Sequence, residues 1–84
     1  MQNDQIKEQI RAYILREFLP GEDPEQLTDT LSLIGGRILD SLATLRLVAF
    51  LEETYSFEFA AHEVGAQNLD NLTLIASFVA SKRK

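Results

Sequence analysis

Apolar residues recur every fourth position near the start of the chain: Ile6, Ile10, Ile14 and Phe18 within "NDQIKEQIRAYILREFL", with Tyr13, Leu15 and Leu19 widening the stripe. That spacing runs one apolar face along a helix. Asn3 or Asp4 is placed to cap its start, and Pro20-Gly21 ends it because proline cannot continue the hydrogen-bond ladder. From Pro20 to Asp40 the period lapses into two prolines, three glycines and scattered Thr, Ser and Asp residues, a single long connection. Loops of this length are pinned by their own side chains or serve a function. Leu27, Leu31, Leu33, Ile34, Ile38 and Leu39 offer the surface to pin this one, with room for a short turn.

The pattern resumes at Asp40-Ser41 and predicts a second helix to Thr54 or Tyr55, capped by Asp40 or Ser41. At 100° per residue, Leu47, Val48, Leu51 and Tyr55 share one side. Leu42, Leu45 and Ala49 fall on the other, bordered by Arg46, Glu52 and Glu53. A domain this small buries one broad face, so the second strip is expected to stay exposed. Ala43 and Phe50 fall between the faces and are left unplaced. "AAHEVGAQ" predicts a short third helix ended by Gly65 as a left-handed cap. A last helix begins near Asp70, its cap, with Leu69 stapled onto Leu74 and Leu72, Ile75, Phe78 and Val79 facing inward. "YSFEF" alternates like a strand but has no second strand to pair with. The expected class is all-α: one domain over residues 1–84, four helices, a long loop between the first two and a short third helix.

Composition narrows the chemistry. The 84 residues include no cysteine, which removes disulfides, thiolate metal sites and a cysteine nucleophile. A lone His62, read as a surface or cap residue, leaves no catalytic triad and no soft metal site. The net charge of −5 disfavours nucleic acid and anionic membranes and favours protein partners with basic surfaces. Without an apolar run near the roughly 20 residues of a membrane span, and with charges throughout "MQNDQIKEQIR", the chain reads as cytoplasmic. Gly35-Gly36 lacks the Lys-Ser or Lys-Thr of a phosphate-binding loop and reads as a flexible approach to Ser41. The terminal "SKRK" fits a helix end, where the dipole favours positive charge.

Taken alone, "DSL" at positions 40–42 is what ordinary helix capping produces. Together, "GGRILDSLATLRLVAFLEE", "FEF" and "LDNLTLIASFVA" resemble the acyl carrier protein family, including its peptidyl and D-alanyl relatives, over nearly the whole chain. The resemblance implies a four-helix carrier bundle in which a transferase attaches 4'-phosphopantetheine to Ser41. Chemistry is compatible: a serine with no base beside it is a poor nucleophile, so a separate enzyme must activate it. A phosphodiester there would meet the positive end of a helix dipole. Asp40 would repel that phosphodiester, leaving two roles, capping the helix or being read by the transferase.

The same resemblance implies that Leu42 engages partner enzymes, against a plain reading as core leucine, and Leu45 and Ala49 share both readings. Glu52 and Glu53 sit where negative charge opposes the helix dipole. The resemblance implies docking on basic partner surfaces, a use these two glutamates fit, with a merely solvated face as the alternative. Arg46 departs from the acidic face common in the family, and the spacing of "GGRILDSL" looks more like D-alanyl, other aminoacyl or specialised polyketide carriers. The expectation is a monomeric, freestanding carrier, itself no enzyme, holding acyl or aminoacyl thioesters for fatty acid, polyketide or nonribosomal-type biosynthesis. The second helix and the residues around Phe59 and Val64 would line a cleft for the cargo. The competing expectation is an unmodified helical interaction module of the same fold.

Overall fold

The structure, a computed structural model, describes residues 2–19, 21 and 23–82. It is all-helical, with no strand among the described residues. The elements are α1 (Gln2–Phe18), α2 (Ser41–Tyr55), the single turn α3 (Ala66–Leu69) and α4 (Leu72–Lys82), with 3-10 turns at Pro24–Gln26 and Ala61–Glu63. No described helix is long and apolar enough to cross a membrane.

Helix α1 lays Ile6, Ile10 and Ile14 into the core and packs chiefly along α4, which contributes Leu72, Ile75, Ala76 and Val79. It begins at Gln2, so Asn3 and Asp4 lie inside the first turn and neither is the cap; an aspartate there is still favoured by the dipole. Leu19 N–H closes the far end on Ile14 and Leu15 carbonyls; Pro20 lies outside the described residues.

Helix α2 buries Leu47, Val48, Leu51 and Tyr55, together with Ala43. Phe50 is half-buried and stacks on Tyr13 of α1, the ring centroids 3.9 Å apart. Burial of Ala43 and this contact of Phe50 place the two residues that the helical wheel leaves undecided. Ser56 ends α2 in the left-handed conformation, its N–H bonded to the Glu52 carbonyl.

The long loop is fastened rather than free. Leu27, Leu33 and Leu39 enter the core. Asp29 pairs with Lys7 and Arg11 of α1, and its carbonyl accepts from Thr73 N–H at the start of α4. Arg11 Nε also donates to the Leu27 carbonyl at 3.0 Å. These bonds tie the first half of the loop to both neighbouring helices.

Three expectations fail between residues 60 and 75. Gly65 does not end a helix: Ala61–Glu63 is a lone 3-10 turn whose Glu63 carboxylate folds back onto Ala60 N–H, Val64 is extended, and Gly65 precedes α3 with φ 171°, not left-handed. The cap of α4 is Asn71, whose Oδ1 accepts Leu74 N–H at 2.8 Å. That one-residue shift puts Asp70 rather than an apolar residue just before the cap, so the expected Leu69–Leu74 staple is not formed: Leu69 is buried while Leu74 stays on the surface. Asp70 is released for another task.

The alternation in "YSFEF" serves packing. Phe57 and Phe59 gather with Phe78 of α4, Phe59 stacking on Phe78 at 4.8 Å. Phe78 is therefore only partly buried, at the edge of the core. Lys82 covers Phe78 and pairs with Glu63 at 3.0 Å, which gives the start of "SKRK" a structural use; Arg83 and Lys84 lie outside the described residues.

Candidate functional site

Ser41 occupies the first position of α2 and is exposed. Its hydroxyl makes no hydrogen bond among the described residues. Asp40 is the cap: its backbone is extended, its Oδ1 accepts Ala43 N–H at 2.7 Å, and its carbonyl accepts both Thr44 N–H and Thr44 Oγ1. Capping thus uses one carboxylate oxygen and leaves the serine hydroxyl outward, where a modifying enzyme could reach it.

The expected exposed strip is present. Leu42 and Leu45 are 61% and 60% exposed, which removes both from the core, and Ala49, Arg46 and Glu53 are exposed beside them. Glu52 is half-buried, and its Oε2 accepts Phe59 N–H at 2.8 Å. This bond anchors the segment after α2, a local use that helix periodicity does not reveal.

Ser41 stands on the rim of an open groove of about 640 Å³ between the start of α2, the end of the long loop and the segment before α3. Its walls are largely apolar, formed by Ile34, Leu39, Leu45, Val64 and Ala66, with Arg37, Asp40 and Thr44 among the polar members. Val64 is one of its lining residues. Phe59 does not, because its ring is taken up by Phe57 and Phe78.

The loop reaches Ser41 through a clamp. Asp70 Oδ1 accepts from Ser32 Oγ at 2.9 Å, Ile34 N–H at 3.0 Å and Gly35 N–H at 3.1 Å, and the Asp70 carbonyl accepts Leu33 N–H at 2.5 Å. One residue before α4 therefore holds four consecutive residues of the loop. Gly36 then turns back on Ser32, where an added Cβ would lie 2.3 Å from the Ser32 carbonyl oxygen. The glycine pair is needed for close approach, and the expectation of a flexible hinge is replaced by a tight, tied turn.

Hydrogen bonding from Gly35 N–H, opposed by partial burial and reinforced by Ser32 and Ile34, holds the Asp70 carboxyl below its ordinary range. Because the folded chain binds that proton more weakly than the unfolded chain, the stabilisation is complete above the unfolded value of about 3.9. It disappears as pH falls through the lower folded value. The stability gap between the wild type and Asp70→Asn is expected to be widest above about pH 4 and to close below it. Urea midpoints measured down the acid limb check this, and a gap constant with pH would refute the clamp's ionic character.

His62 is exposed, and among the described residues no group of His, Asp and Glu could hold a metal ion. No model of a known protein family matches the chain, and no curated protein matches it.

Proposed function

We propose that this chain is a carrier domain of the acyl carrier type, with Ser41 as the attachment point for 4'-phosphopantetheine. The observation that carries the reading is the placing of Ser41: an exposed, unbonded hydroxyl on the first turn of α2, beside an apolar groove and followed at once by exposed Leu42 and Leu45.

The residues present suit such a group. The first backbone N–H groups of α2 lack acceptors in their own helix, and with the dipole they favour a phosphodiester at Ser41. Asp40 fixes the helix start, so the oxygen to be modified has a defined position. The bound arm supplies the terminal thiol that a chain without cysteine lacks, and on it an acyl or aminoacyl thioester. Ser41 has no bonded base to raise its nucleophilicity among the described residues, so it is a substrate. A transferase takes its proton while Oγ displaces adenosine 3',5'-bisphosphate from coenzyme A. Leu42, Leu45 and Ala49 form the apolar contact for partner enzymes, and Arg46, Glu52 and Glu53 border it.

Incubation with coenzyme A and a broad-specificity phosphopantetheinyl transferase is expected to add one phosphopantetheinyl mass to the intact chain. If several transferases add nothing, the carrier reading fails and an unmodified interaction module takes its place.

A further inference from the structure

Arg37 lines the same groove as Ser41, and carrier chemistry in general does not require it. Its φ is 63°, in the left-handed region that side chains rarely adopt, whereas neither of the two glycines just before it has a positive φ. A glycine would take this position without strain. The backbone contact made there, Arg37 N–H to the Ile34 carbonyl at 3.1 Å, is one that any residue except proline could make. The turn therefore accounts for the conformation but not for an arginine. A strained residue beside a functional site is a reason to look for a role in its side chain.

The charges point the same way. Lys7, Arg11, Arg16 and Lys82 each have a carboxylate partner. Arg37 has none among the described residues, although it shares the groove wall with Asp40, whose carboxylate is held by Ala43 N–H. Arg46 is likewise without an ion pair, but it lies beyond Asp40 beside Leu42 and Phe18, away from this groove. The groove at Ser41 thus combines apolar walls from Leu39, Leu45 and Val64 with one unpaired cation. Arg37 is exposed in this open groove, so an ion pair there has the modest strength of a surface pair, and the guanidinium fork matches two oxygens of a phosphoryl or carboxylate group.

We propose that Arg37 is an anion-binding residue for whatever is attached at Ser41, pairing with a phosphoryl or carboxylate oxygen while the apolar part of the group lies along the groove. The attached group rests on the carrier reading; the affinity of Arg37 for an anion at position 41 does not.

A double-mutant cycle on the full chain tests the pairing without any transferase. Ser41→Glu places a carboxylate at the site, and it is expected to raise Tm by about 2–4 °C more in the wild-type background than in Arg37→Gln. No coupling beyond error would overturn the proposal. The side-chain N–H resonance of Arg37 then separates the two sources of anion, compared in the unmodified chain, the chain bearing the arm alone, and the chain bearing acetyl or succinyl cargo. A shift with the arm alone identifies the phosphodiester, and a shift confined to succinyl identifies the cargo carboxylate; both support the pairing. No shift in any form, with loading confirmed by mass, overturns it. If no mass is gained, the carrier reading falls and the cycle alone decides the role of Arg37.

Discussion

Ser41→Ala is expected to abolish uptake of phosphopantetheine while leaving the fold intact. The hydroxyl is exposed and bonds to nothing among the described residues, and the capping bond belongs to Asp40. Its removal should change stability by no more than about 0.5 kcal/mol. Intact mass after incubation with coenzyme A and transferase reads the first half of the prediction, and thermal denaturation the second. Mass gain on the variant would move the attachment site elsewhere. Ser77, exposed on α4, supplies a matched control. The neighbouring carboxylate is separable by the same assay: Asp40→Ala should cost about 1 kcal/mol through the lost cap. Asp40→Asn keeps an acceptor for Ala43 N–H. A slow modification rate in a stable Asp40→Asn chain would show that the transferase reads the charge, and an unchanged rate would leave Asp40 a cap alone.

Gly36→Ala should do the most damage to the fold for the smallest change in composition. The added Cβ would lie 2.3 Å from the Ser32 carbonyl oxygen and 3.5 Å from its carbon, both backbone atoms that cannot rotate away. Ser32 cannot yield easily, because its hydroxyl is bonded to both carboxylate oxygens of Asp70. Opening the turn would disturb the Gly36 N–H to Ser32 carbonyl bond and the clamp together. A loss on the order of 3 kcal/mol follows, lowering Tm by roughly 15 °C in a chain of this size. Thermal melts followed by circular dichroism measure it. A shift of only a degree or two would mean that the loop is looser than the Asp70 contacts imply.

The parts of the fold legible in the sequence are those governed by local period. Four-residue spacing marks α1, and the two-sided pattern of α2 correctly divides buried Leu47, Val48 and Leu51 from exposed Leu42 and Leu45. What could not be read depends on distant partners or one-residue offsets. Asp70 and Asn71 are both good caps by composition, and the choice between them turns on Ser32 and Gly35, more than thirty residues away. Gly65 lies between two short helical pieces, where a glycine can end one or begin the other, and only the structure shows that it precedes α3. At the site, a cap at Asp40 or Ser41 and the exposed strip follow from helix-start chemistry and periodicity, whereas Ser41 as an attachment point follows only from the resemblance to carrier proteins. Arg37 carries only a faint sequence signal, a bulky residue directly after two glycines, which gains meaning once its φ and its lack of a carboxylate partner among the described residues are known.

The aromatic contact between α1 and α2 has an optical consequence. The chain holds two tyrosines and no tryptophan, so near-ultraviolet absorption and emission are dominated by Tyr13 and Tyr55. Tyr13 stacks on Phe50 and donates its hydroxyl to the Arg46 carbonyl at 3.3 Å. Burial, with Glu17 nearby, raises its ionisation above the ordinary phenol value. Tyr55 sits at the other end of α2, bonded to Gln9. The two rings therefore form a built-in pair of spectroscopic probes, one on α1 and one on α2, so that a Tyr55→Phe chain would report through Tyr13, without any dye, how the middle of α2 around Arg46 and Phe50 responds when a partner or cargo arrives.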